Sequence, residues 1–259
     1  MASIIPIPAF ADNYIWLLRE GGAAVVVDPG DAAPVQAYLD AEGLDLAAIV
    51  ATHHHGDHVG GVEALMASRQ VPVYGPARET IPARTRALGE GDRVVLGDVG
   101  LELQVLDVPG HTAGHIAYTG RVADAPVLFC GDTLFAAGCG RIFEGTPAMM
   151  WTSLSKLAAL DPATRVFCAH EYTLANLRFA AAVEPANVAV AQRRERDAAV
   201  RERGQPTVPS TIADELATNP FLRANEPAVR AEAEAHAGRL LDGDVAVFAQ
   251  LRAWKNGYR

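Results

Sequence analysis

The pattern of the chain changes near residue 172, and this change limits the possible folds more than any other feature. Up to about residue 170, short apolar segments rich in β-formers alternate with helical patterns, an alternation typical of layered α/β proteins. After Tyr172 the strand-like runs vanish, and helical segments separated by Gly and Pro follow. We therefore predict an α/β domain over residues 1–171 and a smaller α-helical domain over residues 172–259.

Hydrophobic periodicity predicts the individual elements. Strands are expected over 14–18, 24–27, 47–51, 94–96, 101–108, 127–130 and 165–168. Helices are expected over 33–41, 59–68, 148–160, 174–183, 187–203, 211–216, 226–237 and 245–254. The charged stretch 192–197 mixes both signs, so we expect it to be a solvated helix face.

A string of potential metal ligands, His53-His54-His55-Gly56-Asp57-His58, follows one predicted strand. Successive side chains of an extended segment point to opposite faces, so His53 and His55 should share one side while His54 points away. Gly56 lacks a Cβ, and we expect it to bend the backbone so that Asp57 and His58 aim at nearly the same place. The string could therefore serve two metal ions.

Three other apolar runs end in a small residue followed by a potential ligand. These ligands are His111, Asp132 and His170. Strand ends feed the loops at one sheet edge, so we expect all seven ligands to meet there. Nitrogen and carboxylate ligands without cysteine suit zinc and would also accept iron or manganese. His54, His115 and His236 are left out of this set, although His115 could orient a ligand.

Composition limits the partners and the location. Half of the residues are hydrophobic, enough for a substantial core, and the net charge of −9 argues against nucleic acid as a partner. The three cysteines fit neither a disulfide framework nor a zinc ribbon, which favours reduced thiols. We see no secretory leader and no run long enough to span a membrane, and we expect a cytoplasmic monomer.

The segment 52–61, Thr-His-His-His-Gly-Asp-His-Val-Gly-Gly, resembles the signature of the metallo-β-lactamase superfamily. The resemblance implies a four-layer αβ/βα sandwich and two divalent metal ions per chain. It also implies the ligand sets, with Asp132 bridging the two metals. One metal would be held by His53, His55 and His111, and the other by Asp57, His58 and His170.

Several further segments resemble the hydroxyacylglutathione hydrolase (glyoxalase II) family of that superfamily. They are residues 8–14, 138–145, 170–179, 219–223 and 252–255. The resemblance implies that the following residues hold glutathione: Arg141, Phe143, Tyr172, Arg252 and Lys255. Many members have lysine where Arg141 stands and tyrosine where Phe143 stands, so here a planar fork of donors replaces an ammonium and one hydroxyl contact is absent.

The same resemblance implies an activity. A hydroxide bridging the two metals would attack the thioester carbonyl of an S-(2-hydroxyacyl)glutathione such as S-D-lactoylglutathione. The products would be glutathione and D-lactate, as in the second step of methylglyoxal detoxification. We expect Asp57 and Asp132 to be catalytic. A thiol of pKa about 8.5 leaves readily, so no dedicated general acid is needed.

Other interpretations remain open at this stage. A glutathione persulfide dioxygenase with a single iron resembles the same superfamily but lacks the helical extension with its Arg-x-x-Lys pair. A non-catalytic metal-binding or scaffold protein is a second alternative, whereas the absence of an export signal and the charge balance disfavour a β-lactamase and a nuclease. Arg252 and Lys255 could instead form a solvated helix end. We assign Cys139 to packing, because no base partner is apparent.

Overall fold

The structure is a computed structural model that describes residues 2–67 and 69–258. It divides into two compact units. The first unit comprises the chain up to Asp107 together with Thr112–Gly131 and Phe167–His170. The second unit comprises Val108–His111, Asp132–Val166 and the chain from Glu171 onward. The predicted domain boundary between residues 171 and 172 stays a prediction.

The first unit is built on two sheets. The first sheet runs in the order β1 to β6, antiparallel from β1 to β3 and parallel from β3 to β6. Its strands are β1 Ser3–Ala9, β2 Asn13–Glu20, β3 Ala23–Val27, β4 Asp45–Val50, β5 Val73–Pro76 and β6 Arg86–Leu88. The second sheet is an antiparallel run from β7 to β10, with the end of β13 beside β10. Its strands are β7 Arg93–Leu96, β8 Leu101–Asp107, β9 Ile116–Val122, β10 Ala125–Gly131 and β13 Arg165–Cys168.

Strand β8 has the burial pattern of a half-covered sheet, and Trp16 links the two sheets. In β8 the residues from Leu101 to Val105 are alternately buried and exposed, as expected for a sheet with one covered face. The two sheets contact each other through Trp16 of β2, whose ring packs edge-on to Phe167 with 4.9 Å between centroids. The Trp16 indole also donates to the carbonyl of Cys168 at 2.9 Å, so its buried N–H is satisfied.

Short helices cover the first sheet. They are α1 Ala32–Glu42, α2 Gly56–Val59 and α3 Val62–Met66. Asp31 caps the start of α1 by accepting from the backbone N–H of Ala33, and Gly43 ends the helix in a left-handed conformation. Leu39 of α1 and Leu65 of α3 belong to the core of this sheet. Each such buried side chain contributes about 1.5–3 kcal/mol relative to an exposed one.

The second unit is mainly helical. Its helices are α4 Pro147–Ala158, α5 Thr173–Val183, α6 Val188–Glu202, α7 Ile212–Thr218, α8 Pro227–Ala237 and α9 Gly243–Gly257. Phe221 packs between Phe179 of α5 and Phe248 of α9, with ring centroids 5.8 and 5.9 Å away. The unit also contains a small hairpin of β11 Leu134–Phe135 and β12 Gly138–Cys139, and strand β14 Ser210–Thr211 pairs with the start of β13.

The predicted α/β class with a helical C-terminal part is confirmed, and every predicted strand overlaps an observed one. Two of the strands that were missed have identifiable reasons. Strand β1 contains Pro6 and Pro8, which are tolerated because β1 lies at a sheet edge, and β9 contains Gly120 in its interior. The expectation of no strand after Tyr172 was wrong, because β14 follows α6.

Two helix predictions were also wrong in part. The segment 59–68 is not one helix, because α2 begins inside the histidine string and α3 ends at Met66; Ser68, the predicted last residue, lies outside the described residues. The stretch 192–197 is not a fully solvated face, because Arg193 and Asp197 are buried.

No helix in the described ranges 2–67 and 69–258 is both long and apolar enough to cross a bilayer.

Candidate metal-binding and ligand-binding sites

The histidine string follows β4 and begins in an extended conformation. The rings of His53 and His55 lie edge to face with centroids 4.8 Å apart, and Nε2 of His53 lies 3.1 Å from Nδ1 of His55. His54 points away, and its Nδ1 lies 2.9 Å from a carboxylate oxygen of Glu79. The alternation expected for an extended segment is therefore present at these three residues.

The change of direction after His55 does not depend on Gly56 in the way the sequence suggested. Gly56 begins α2 without a positive φ, and a Cβ built on it would meet open space. Instead, the backbone N–H of His58 donates to the carbonyl of His55 at 2.9 Å, so a helical turn aims the next ligands. The glycine that this turn requires is Gly30, whose added Cβ would lie 1.8 Å from the carbonyl oxygen of Asp57.

One complete group of metal-binding side chains lies within the first unit. Asp57, His58 and His170 present ligand atoms within 4.8 Å of one another. The Asp57 Oδ2 atom lies 3.6 Å from Nε2 of His58 and 3.5 Å from Nε2 of His170. Two imidazoles and a carboxylate at these separations fit a divalent cation. The predicted ligands after β4 and β13 are therefore brought together here.

The other ring nitrogen of each histidine in this group is held by a carboxylate. Nδ1 of His58 lies 3.1 Å from Asp28, and Nδ1 of His170 lies 2.9 Å from Asp12. Such contacts fix the ring orientation and direct Nε2 toward a metal. Asn13 donates to Oδ2 of Asp57 at 3.0 Å and fixes that carboxylate as well.

These supporting residues were not identified from the sequence. Asp12 and Asn13 lie in the segment 8–14, which was noticed only for its resemblance. Asp28 has a positive φ of 53°, a backbone conformation that is uncommon outside glycine and often marks a functional site. No local signal distinguishes them from other polar residues that follow a strand.

Glu79 connects two loops of the first unit, the one with His54 and the one with Thr112 and Gly114. It is buried and accepts from the backbone N–H of His54 at 2.7 Å and from that of Gly114 at 3.0 Å. The hydroxyl of Thr112 donates to the same carboxylate. His115, nearby in sequence, is buried and stacks on His53 with 4.5 Å between ring centroids, which restricts the His53 ring.

The second unit contains the two remaining predicted ligands. Nε2 of His111 lies 3.4 Å from Oδ2 of Asp132, and both residues are buried. Nδ1 of His111 lies 2.8 Å from the carbonyl oxygen of Arg141, so its Nε2 is again the nitrogen left for a metal. Gly140 permits this arrangement, because an added Cβ would lie 1.9 Å from the carbonyl oxygen of Asp132.

A cavity of about 440 Å³ opens beside these two residues within the second unit. All five predicted glutathione-binding residues line it: Arg141, Phe143, Tyr172, Arg252 and Lys255. Asn176, Asn256 and Tyr258 line it as well and were not identified from the sequence. The volume suits a small molecule of several tens of atoms at most.

The cavity is cationic at the α9 side. Arg252 is only 7% exposed, which excludes the solvated-helix interpretation for this residue. The Lys255 ammonium donates to the carbonyl of Ala175 at 3.2 Å. Burial, followed by the positive charges of Arg252, Arg178 and Arg141, lowers the pKa of Lys255 to about 8. A ligand with carboxylates would relieve this repulsion.

Cys139 also lines the cavity, and burial raises the pKa of its thiol. The thiol therefore stays protonated near neutral pH, and a protonated thiol is a poor nucleophile. This state agrees with the assignment of Cys139 to packing.

The chain is similar to known proteins over nearly its whole length. Residues 10–170 match the metallo-β-lactamase superfamily, and residues 171–258 match the family described as hydroxyacylglutathione hydrolase C-terminus. Hydroxyacylglutathione hydrolases of Alkalilimnicola ehrlichii and Cupriavidus taiwanensis are 62% and 58% identical to the chain. The alignments cover 99% of both chains in the first case and all of both chains in the second. The crystal structure of the BLEG-1 B3 metallo-β-lactamase shares the fold, with a TM-score of 0.62 and 24% identity over 86% of this chain and 99% of that one.

Proposed function

The chain belongs to the hydroxyacylglutathione hydrolase family of the metallo-β-lactamase superfamily, and from this premise we propose that it hydrolyses S-(2-hydroxyacyl)glutathione thioesters. The products are glutathione and a 2-hydroxy acid. With S-D-lactoylglutathione the acid is D-lactate, so the reaction would be the second step of methylglyoxal detoxification.

The observation that carries this proposal is the cavity of the second unit. It brings the buried Arg252 and the half-buried Lys255 together with His111 and Asp132. Glutathione bears two carboxylates, and cations at one end of a cavity would bind them by charge-assisted hydrogen bonds. Arg252 and Lys255 both line the cavity, which places their cationic groups beside a ligand bound there.

The other cavity residues would complete glutathione binding. Arg141 presents a planar fork of donors, and Tyr172 offers a phenolic hydroxyl. Phe143 is largely exposed and packs its ring 5.2 Å from that of His111, so it would contribute apolar contact without a hydroxyl. The replacements of lysine and tyrosine common in the family are therefore compatible with binding.

We further propose two divalent cations, with zinc as the first candidate and iron or manganese as alternatives. His53, His55 and His111 would hold one cation, while Asp57, His58 and His170 would hold the other. Asp132 would bridge them. Such cations supply Lewis acidity and a water of lowered pKa near neutral pH.

The chain's own groups account for the remaining requirements. Asp57, held by Asn13, would orient the attacking water, which makes it a catalytic residue with Asp132. The departing thiolate of glutathione needs no protonation in the transition state, because its thiol has a pKa of about 8.5. The cationic cavity residues would hold the glutathione part while the acyl carbonyl reacts.

We propose that the enzyme acts as a monomer in the cytoplasm. The cytoplasmic location is supported by Cys130, Cys139 and Cys168, which are all buried free thiols, as is usual in a reducing compartment. The dioxygenase alternative with a single iron is not favoured, because relatives with more than half of their residues identical are named hydroxyacylglutathione hydrolases.

Hydrolysis of S-D-lactoylglutathione, followed by loss of thioester absorbance, tests the proposal directly. The metal content of the same sample should be measured by elemental analysis. Turnover with about two metals per chain is expected. A folded, fully metallated sample that leaves the thioester intact would refute the proposed function.

A further inference from the structure

The β11–β12 hairpin, residues 134–139, forms one wall of the cavity. Phe135 and Cys139 of the hairpin line it, and the chain continues directly to Arg141. The hairpin ladder consists of two residue pairs, Leu134 with Cys139 and Phe135 with Gly138. So short a two-stranded ribbon is not stable by itself, so other parts of the second unit must fix its position.

Two buried side chains near α7 bind the backbone of this hairpin. One carboxylate oxygen of Glu215 accepts from the N–H of Ala137 at 2.7 Å. The amide of Asn219 donates to the carbonyl of Gly138 at 2.9 Å and lies 3.3 Å from that of Phe135. Glu215 and Asn219 are both 0% exposed, so water cannot replace these contacts.

The hairpin tip needs this support for a second reason. Ala137 has a φ of 54°, in the left-handed region that is uncommon for a residue with a side chain. Such a conformation persists only where its surroundings hold it. The hydrogen bond from Ala137 to Glu215 is the contact that holds it on the amide side.

The charge of Glu215 is balanced inside the unit. Its second oxygen accepts from Nη2 of Arg193 at 2.8 Å. Arg193 is itself held by Thr218 at 2.7 Å and by Asp197 at 3.3 Å. The network therefore gives the buried carboxylate a fixed orientation toward the hairpin.

Two cavity residues hold the same hairpin from other helices. The Asn176 amide of α5 donates to the carbonyl of Ala136 at 3.0 Å, and Nη1 of Arg252 in α9 donates to the carbonyl of Cys139 at 2.8 Å. Nearly every residue of 135–139 thus has a backbone N–H or carbonyl group that is hydrogen-bonded to a side chain from α5, α9 or the α7 region. Glu215 and Asn219 differ from the other two because they are not among the residues that line the cavity.

We propose that Glu215 and Asn219 are positioning residues for glutathione binding: they set the shape of one cavity wall and the placement of Arg141 through the hairpin backbone. The inference rests on the proposed function. It gives a role to Asn219 of the segment 219–223, which the metal and substrate residues leave unexplained. Neither residue touches the substrate, so their effect is on binding of the glutathione part rather than on the chemical step.

Asn219→Ala is the first test, because it removes the donors to Gly138 and Phe135. We expect the KM for S-D-lactoylglutathione to rise about tenfold, because a displaced Arg141 would lose roughly one charge-assisted hydrogen bond to the substrate. The Kd of free glutathione, measured by titration calorimetry, should rise in parallel. The kcat and the metal content should stay within about twofold of the unsubstituted chain.

Glu184→Gln is the matched control. Glu184 is buried and pairs with Arg223 of the same 219–223 segment, at 2.8 and 2.9 Å. Within the described part of the chain it makes no hydrogen bond or ion pair with the hairpin. This substitution should lower the Tm comparably while leaving the KM and the glutathione Kd unchanged. It separates general loosening of the second unit from misplacement of the hairpin.

Glu215→Gln keeps the shape of the side chain and one acceptor oxygen. It is the second test of the proposal, to be used if Asn219→Ala does not fold. It should raise the KM and the Kd in the same direction. Unchanged KM and Kd in both substituted proteins, with a lowered Tm, would overturn the positioning role while leaving the proposed function intact. If the unsubstituted chain neither binds glutathione nor cleaves the thioester, the proposed function fails and this inference fails with it.

Discussion

Arg252 donates from Nη1 to the carbonyl oxygen of Cys139 at 2.8 Å, while its buried Nε has no hydrogen-bond partner in the ranges 2–67 and 69–258. The Arg252 side chain thus supports the β11–β12 hairpin and also lines the cavity. The guanidinium carbon of Arg252 lies 4.9 Å from the centroid of the Phe221 ring, and this contact fixes the plane of the guanidinium group.

Replacing Arg252 with alanine should raise the KM more than it lowers the kcat. The residue would bind substrate and transition state alike, so its loss removes uniform binding. An increase of about tenfold or more is expected for a charge-assisted contact. Steady-state kinetics with S-D-lactoylglutathione measures the split. Arg239→Ala, which removes an exposed cation of the same unit, should change neither constant.

The lowered pKa of Lys255 leads us to expect that kcat/KM depends on pH. Its pKa is lowered to about 8, chiefly by burial and then by neighbouring cations. The ammonium is therefore present below that value and is lost as the pH rises through it. Since kcat/KM reports the free enzyme, it should fall on the alkaline side with this pKa. Lys255→Arg keeps its charge and should remove that limb of the profile; an identical limb in both proteins would assign it to another group.

Asp132→Asn should abolish turnover and weaken metal retention. The substitution keeps the shape but removes the negative charge of the proposed bridging ligand. We expect kcat to fall by at least about a hundredfold, because even supporting residues of metal sites cost up to that factor. Elemental analysis after dialysis reports retention, with the exposed Asp161→Asn as the control. Full activity with two metals bound would contradict the bridging role.

Glu79→Gln should destabilise the loops that carry the metal ligands. The amide would turn its NH₂ group toward at least one of the N–H or O–H donors that the carboxylate now accepts from. One unsatisfied buried donor costs about 1–3 kcal/mol. Urea unfolding of the metal-free protein measures the loss, and the exposed Glu63→Gln should leave the free energy of unfolding unchanged. Equal midpoints for the two proteins would show that Glu79 contributes nothing to stability.

Alanine substitution should be damaging at one glycine near the histidine string and nearly neutral at another. Gly30→Ala would place a Cβ 1.8 Å from the carbonyl oxygen of Asp57, so we expect lost metal affinity and a lower Tm. Gly56→Ala meets open space at the start of α2, so its effect on the free energy of unfolding should stay below about 1 kcal/mol. Thermal unfolding with and without added zinc compares them. A tolerated Gly30→Ala would show that the backbone around Asp57 can shift.

The candidate metal ligands could be identified in the sequence because their signal is local. A histidine string and single ligands after apolar strands carry their chemistry within a few residues. The support around them could not be predicted in the same way. Asp12 and His170 are 158 positions apart in the chain, and the residues next to either one in sequence do not indicate that the two side chains are in contact.

The error at 192–197 has the same origin. A stretch of mixed charges resembles a solvated helix face, and Arg196 is indeed partly exposed. Arg193 is buried because Glu215, 22 positions later, supplies the compensating carboxylate. Burial of a charge depends on its partner, and the partner is set by the tertiary fold.

The β11–β12 hairpin is held in place by hydrogen bonds from its backbone amides and carbonyls to side chains of the second unit, which matters for protein engineering. The side chain of Phe135 takes no part in those hydrogen bonds, although it lines the cavity. A library randomised at this position would alter the cavity wall while leaving the backbone hydrogen bonds of the hairpin intact. Phe135 is therefore a hairpin position at which an altered thioester preference should be sought.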